Sequence, residues 1–60
     1  MTNQTEIIEY GYGIEAQHIT NMQSLVVDNG KVIKLCKGET AWMDAERFAS
    51  DLFFERRYAR

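Results

Sequence analysis

Between Glu6 and Glu15 apolar and polar positions alternate, with Ile8, Tyr10, Tyr12 and Ile14 on one side and Glu9, Gly11, Gly13 and Glu15 on the other. A period of two predicts a half-buried strand over about residues 6–14. The glycines weaken it, because glycine offers nothing to pack and loses more backbone entropy, and they are expected to mark a bulge or a close backbone approach. Residues 1–4 carry no pattern and are expected to be frayed.

A stronger local signal follows. Asp28-Asn29-Gly30-Lys31 separates SLVV from KVIKLCK. Asn-Gly tolerates the two positive φ angles of a type I′ turn, whose twist suits antiparallel strands, so a hairpin is predicted over about residues 22–37. A regular two-residue loop pairs Val27 with Val32, Val26 with Ile33, Leu25 with Lys34 and Ser24 with Leu35. One face then carries Val26, Ile33, Leu35 and Met22, and the other Leu25, Val27, Val32 and Cys36 beside Lys34. Both faces are partly apolar, so both are expected to meet something.

Residues 15–23 admit two readings. Ala16, Ile19, Met22 and Gln23 fit a helical turn, whereas Ile19, Asn21, Gln23, Leu25 and Val27 alternate as a strand running into the hairpin. The β-branched Ile19 and Thr20 favour the strand, which would complete a three-stranded meander.

From about residue 40 to 58 the period lengthens to that of a helix. Gly38 ends the strand, Thr40 suits the N-cap, and Asp44 and Glu46 near the start with Arg56, Arg57 and Arg60 near the end complement the macrodipole. Trp42, Ala45, Phe48, Ala49, Leu52 and Phe53 form one stripe, predicted to lie on the sheet. Met43, Phe54 and Tyr58, interrupted by Arg47, fall on another flank. The predicted fold is a small α+β domain, an antiparallel sheet of two to three strands with one C-terminal helix packed on it.

Sixty residues make a single domain that buries only roughly 60% of its unfolded surface, so stability calls for a disulfide, a metal or association. Cys36 is the lone cysteine and His18 the lone histidine, too few for a disulfide or a structural zinc site. Association remains the expected supplement. A 45% hydrophobic and 27% charged composition argues for a folded chain over a disordered one. The longest aliphatic run, Leu25-Val26-Val27, is far short of a bilayer span, and no secretory pattern is visible at the start, so a cytoplasmic protein without membrane contact is expected.

The net charge of −2 conceals an asymmetry. Residues 1–30 hold Glu6, Glu9, Glu15 and Asp28 and no basic residue, while residues 31–60 hold seven basic and five acidic residues. Complementary halves favour packing within one fold, or an arrangement in which one copy's first half faces another's second.

Catalysis has one candidate pair, Cys36 with His18, which would need to meet in space with a third group orienting the imidazole. A lone strand cysteine reads more readily as a small buried hydrophobe. Asp44, Asp51 and Glu55 read as solvated or ion-paired groups. No motif implies a catalytic, metal or cofactor site, and no enzymatic activity is expected. Tyr10 and Tyr12 read as sheet-packing residues sooner than as platforms for nucleobases.

The expectation is therefore a non-enzymatic protein-interaction module, associating with itself as a homodimer or with a larger protein through Met43, Arg47, Phe54, Tyr58 and the exposed sheet face. Interface cores favour aromatic residues, Met and Arg. Chains of this size are often phage or plasmid accessory proteins that act on a host protein, an expectation from size alone. The alternative is a small nucleic-acid-binding or transcription-regulating protein using Arg56, Arg57, Arg60, Lys34 and Lys37, against which the acidic pI of about 5.2 counts.

Overall fold

Two pairs of residues with left-handed backbone fold the first half of the chain into hairpins. Tyr12 and Gly13 have φ of 56° and 80°, Asn29 and Gly30 53° and 83°, the positive values that a type I′ turn demands at both central positions. The computed structural model describes residues 6–59. Strands β1 (Glu6–Gly11), β2 (Ile14–Thr20), β3 (Gln23–Asp28) and β4 (Lys31–Lys37) form one antiparallel meander, and helix α1 (Ala41–Tyr58) packs on it. The α+β class is as predicted.

The sheet has four strands, not two to three. The segment read as one strand over 6–14 breaks at Tyr12–Gly13, and the strand expected through 15–23 turns back at Asn21–Met22. A two-residue turn reverses the parity of a period-two pattern, but the bulge between Glu9 and Gly11 reverses it back. Apolar alternation therefore runs from Ile8 to Ile14 as though no turn intervened. The frayed end expected for residues 1–4 lies outside the described residues.

The two left-handed turns lie against each other at one end of the sheet. The Asn29 amide N–H donates to the Gly13 carbonyl at 2.8 Å, and a Cβ on Gly13 would come 2.1 Å from Asn29 Oδ1. At the opposite end the Gly38 amide donates to the Met22 carbonyl at 2.8 Å, tying the β4–α1 connection to the β2–β3 turn.

Inside the Asn29-Gly30 hairpin the register differs from the regular one. Val27 pairs with Val32 as expected, but Val26 then pairs with Lys34, Leu25 with Leu35 and Ser24 with Cys36. Ile33 is the extra residue of a β-bulge. Because side chains alternate with period two, this single insertion moves every later residue of β4 to the other face. Leu35 joins Leu25, Val27 and Val32, while Lys34 and Cys36 join Val26.

Thr40 holds the N-cap position of α1, although its hydroxyl bonds the Asp44 carboxylate at 3.0 Å and caps no backbone amide. The Ala41 amide instead donates to the Gly38 carbonyl. Ala41, Ala45 and Ala49, all 0% exposed, form the line nearest the sheet. They pack on Ile14, Ala16, Val26 and Cys36, with Tyr10, Leu52 and Phe53 around the margin. The stripe predicted from Trp42 and Phe48 is thus recentred. Alanine lets the helix approach closely, and the bulkier Trp42 and Phe48 straddle its flanks, both remaining more than a third exposed.

Candidate functional site

The first site to weigh lies between helix and sheet. Strand pairing sets His18 opposite Ser24 across the β2–β3 turn, and His18 Nδ1 lies 2.7 Å from Ser24 Oγ. On its other side Nε2 meets the Glu46 carboxylate at 2.8 Å. The imidazole stacks on Trp42, centroids 4.2 Å apart and planes within 4°, and the indole N–H donates to the Thr20 carbonyl at 2.7 Å. A carboxylate can only accept, so Nε2–H donates to Glu46, while the Ser24 hydroxyl can donate to or accept from Nδ1 according to the ring's protonation.

Serine, histidine and glutamate in contact are the chemical types of a hydrolytic triad, but this geometry does not suit that task. Ser24 is 0% exposed and His18 1%, so no substrate reaches the hydroxyl. The nitrogens are also engaged in the order opposite to the triad template, where serine bonds Nε2 and the acid bonds Nδ1. The arrangement is a polar clamp. It holds the first half of α1 to β2 and β3, and no buried side-chain N or O among the described residues lacks a partner.

Cys36 and His18 do not pair. Ser24 stands between them in the cross-strand row, and both imidazole nitrogens are taken. Burial pushes the Cys36 thiol up from its ordinary value, against a smaller opposing effect of Lys34, which disfavours the nucleophilic thiolate. No group of three or more His, Cys, Asp or Glu among the described residues could hold a metal. No helix among them is long and apolar enough to cross a membrane.

The second site is the sheet face turned away from α1. Two adjacent cross-strand rows compose its middle: Ile7, Gln17, Leu25 and Leu35 in one, and Glu9, Glu15, Val27 and Val32 in the other. On β3 and β4 these rows make a contiguous two-by-two block of Leu25, Leu35, Val27 and Val32. Leu35 is 52% exposed, Val32 53% and Ile7 51%, whereas Leu25 is half-buried and Val27 is buried by its neighbours. Nothing among the described residues lies over them. The β1–β2 half of the face is acidic, with Glu9 opposite Glu15 and Gln17 Nε2 donating to Glu15 Oε1 at 3.1 Å. Lys37, opposite Gln23, closes the far corner.

The helix flank expected to serve an interface is indeed turned outward. Met43 is 63% exposed and Tyr58 70%, and Phe54 stacks on Tyr58 with ring centroids 6.1 Å apart. Exposed Arg47 interrupts this line, so it is a narrow strip rather than a block. Beside this strip, Phe48, Leu52 and Phe54 of α1 line an open hollow together with Asp51 and Glu55.

The basic residues do not gather into one patch. Arg56 is spent on Asp28, with Nη1 to Oδ1 at 2.8 Å and a second bond from Nη2 to Oδ2. Lys34 lies 5.6 Å over the Phe48 ring on the helix side of the sheet, whereas Lys37 belongs to the open side. Arg57 sits 5.8 Å from the Tyr58 ring, and Arg60 lies outside the described residues. Tyr10 is a packing residue whose hydroxyl donates to the Glu46 carbonyl at 3.3 Å. Tyr12 sits at the turn, its ring 5.5 Å from Phe53.

Sequence reasoning missed the clamp and misplaced Leu35. Recognising the Asn21–Met22 turn would still have set His18 against Leu25, because the pairing with Ser24 comes from the register shift between His18 and Thr20. No residue signals the bulge at Ile33, since Ile33 is an ordinary strand former. No protein-family model, curated protein or solved structure matches the chain.

Proposed function

We propose that the chain is a non-enzymatic protein-interaction module that associates with a second copy through the sheet face opposite its helix. One observation carries this reading: Leu35, Val32 and Ile7 stand exposed on this face beside half-buried Leu25 and buried Val27, while the core beneath the helix is built largely from alanine, serine and cysteine. The bulk that normally fills an interior lies outside it. With the helix on one face of the sheet and apolar side chains on the other, a partner adds the layer that covers them.

Sedimentation across a concentration series tests the proposal. The wild-type chain is expected to shift from monomer to dimer as concentration rises, and Leu35→Asp to remain monomeric with an unchanged far-UV circular dichroism spectrum. A monomer at every concentration would overturn it.

A second reading rests on Met43, Arg47, Phe54 and Tyr58, whose outward strip suits a different protein partner. Association abolished by Phe54→Asp and untouched by Leu35→Asp would favour the helix over the sheet. Nucleic-acid binding ranks below both, because the basic side chains are divided between the two faces and Arg56 is neutralised by Asp28.

A further inference from the structure

We infer that the second copy docks face to face with its strands crossing at a near right angle, so that Lys37 of each copy meets Glu9 and Glu15 of the other. This deepens the self-association reading and rests on it. The argument is one of placement. On the open face Glu9 and Glu15 occupy adjacent positions on β1 and β2 in one cross-strand row, and Lys37 lies two rows further on, at the end of β4. With strands about 4.8 Å apart and rows about 6.8 Å apart, the acidic pair and Lys37 stand at opposite corners of a nearly square face.

A two-fold axis in the interface can lie parallel to the strands, across them, or along either diagonal of the face, and the diagonal through Glu9 and Lys37 sets each of these against its own image. An axis parallel to the strands through the aliphatic block sets β3 on β4, and leaves Glu9 and Glu15 beyond the contact. An axis across the strands brings Lys37 to Val32. An axis along the diagonal through Val32 exchanges the remaining corners, and so carries Lys37 onto the acidic pair. The same operation keeps Val32 near its own image and lays Val27 between Val32 and Leu35 of the other copy. It produces the orthogonal class of sheet packing, one of the two that twisted sheets adopt.

The charges have a reason to use this arrangement. Among the described residues Asp28 is paired with Arg56 and Glu46 is held by His18, and Glu9, Glu15 and Lys37 take part in neither contact. Glu9 and Glu15, directly opposite each other, repel. A lysine arriving from the second copy relieves that repulsion, and two-fold symmetry supplies the contact twice. Opposite charges at the rim select the orientation, and the aliphatic block supplies the affinity.

The test is a charge exchange followed by sedimentation and native mass spectrometry. Lys37→Glu alone, and Glu9→Lys with Glu15→Lys, each set like charges against one another in the homodimer and are expected to weaken it at least about tenfold. Mixing the two variants restores both contacts, so a one-to-one heterodimer should form at concentrations where neither associates alone. The wild-type dimer should also weaken as salt rises. Glu9 and Lys37 are exposed and Glu15 is half-buried, so circular dichroism of each variant checks that the fold is kept. If wild type dimerises through Leu35 but both charge variants dimerise equally well, the crossed arrangement is wrong and the self-association reading stands. If wild type is monomeric throughout, both fail.

Discussion

The two faces of the sheet divide the apolar residues in an unexpected way. Under the helix the fully buried positions are small: Ala16, Ser24, Ala41, Ala45 and Ala49, with Ile14, His18 and Val26 as the largest side chains. The uncovered face carries Leu25, Leu35, Val27, Val32 and Ile7. Small residues allow close helix–sheet approach but remove little area from water, and burial contributes about 25 cal/mol per Å². Volume rather than hydrophobic count limits this core. The covered face adds specificity through the His18 clamp, whereas the open face holds apolar area still available for a partner.

That contrast makes distinct demands on substitutions. His18→Ala should have the largest effect, about 3 kcal/mol, because it leaves Ser24 and Glu46 without a partner and opens a void under Trp42. Urea unfolding measures it, and a change below about 0.5 kcal/mol would mean that the clamp adds nothing to the covered face. Next comes Ala45→Leu, which inserts three carbons where helix and sheet touch and should destabilise by about 2 kcal/mol. A neutral result would show that the alanine line is not closely packed.

The Arg56–Asp28 pair should show itself in acid. Its hydrogen bond from Arg56 holds the Asp28 carboxyl below its ordinary value. A depressed folded-state value contributes stability above the ordinary carboxylate value, and that contribution is lost as pH falls through the lowered one. Asp28→Asn should flatten this part of the acid limb in pH-dependent melting, with little change at neutral pH relative to the His18 effect. In base the sign reverses. The buried Cys36 thiol is raised, so stability falls as pH climbs past the ordinary thiol value, and Cys36→Ala should reduce that slope.

The smallest effect should come from the open face. At high dilution, where the chain is a monomer, Leu35→Asp should alter stability by no more than about 0.5 kcal/mol, since a half-exposed surface position has little to lose. Thermal melting at low concentration checks it. A loss as large as that of Ala45→Leu would place Leu35 in the monomer's own core and erase the contrast between the faces.

How much of this was legible varies from element to element. Asn29-Gly30 announced its hairpin because few residue pairs accept two left-handed conformations. Tyr12-Gly13 did the same work unannounced, since a tyrosine in that region is unusual and the alternation continued straight through it. The helix was legible in extent and in its outward strip of Met43, Phe54 and Tyr58, yet its contact line was read one flank aside. Aromatic residues dominate a periodicity count, while close packing selects alanine. Cys36 and Lys34 were placed on the face of Leu25, Val27 and Val32 because a bulge at Ile33 leaves no compositional trace.

From its sequence alone this chain determined an α+β class, a C-terminal helix, one hairpin and an apolar surplus too large for sixty residues to hide. Those properties depend on local conformational preference and on periodicity, which each residue carries with it. Only the tertiary structure decided which side of the sheet the surplus occupies, that His18 lies between Ser24 and Glu46, and that Arg56 is neutralised by Asp28. These depend on register and on contacts between residues distant in the chain, where a single inserted residue reverses the faces of a strand.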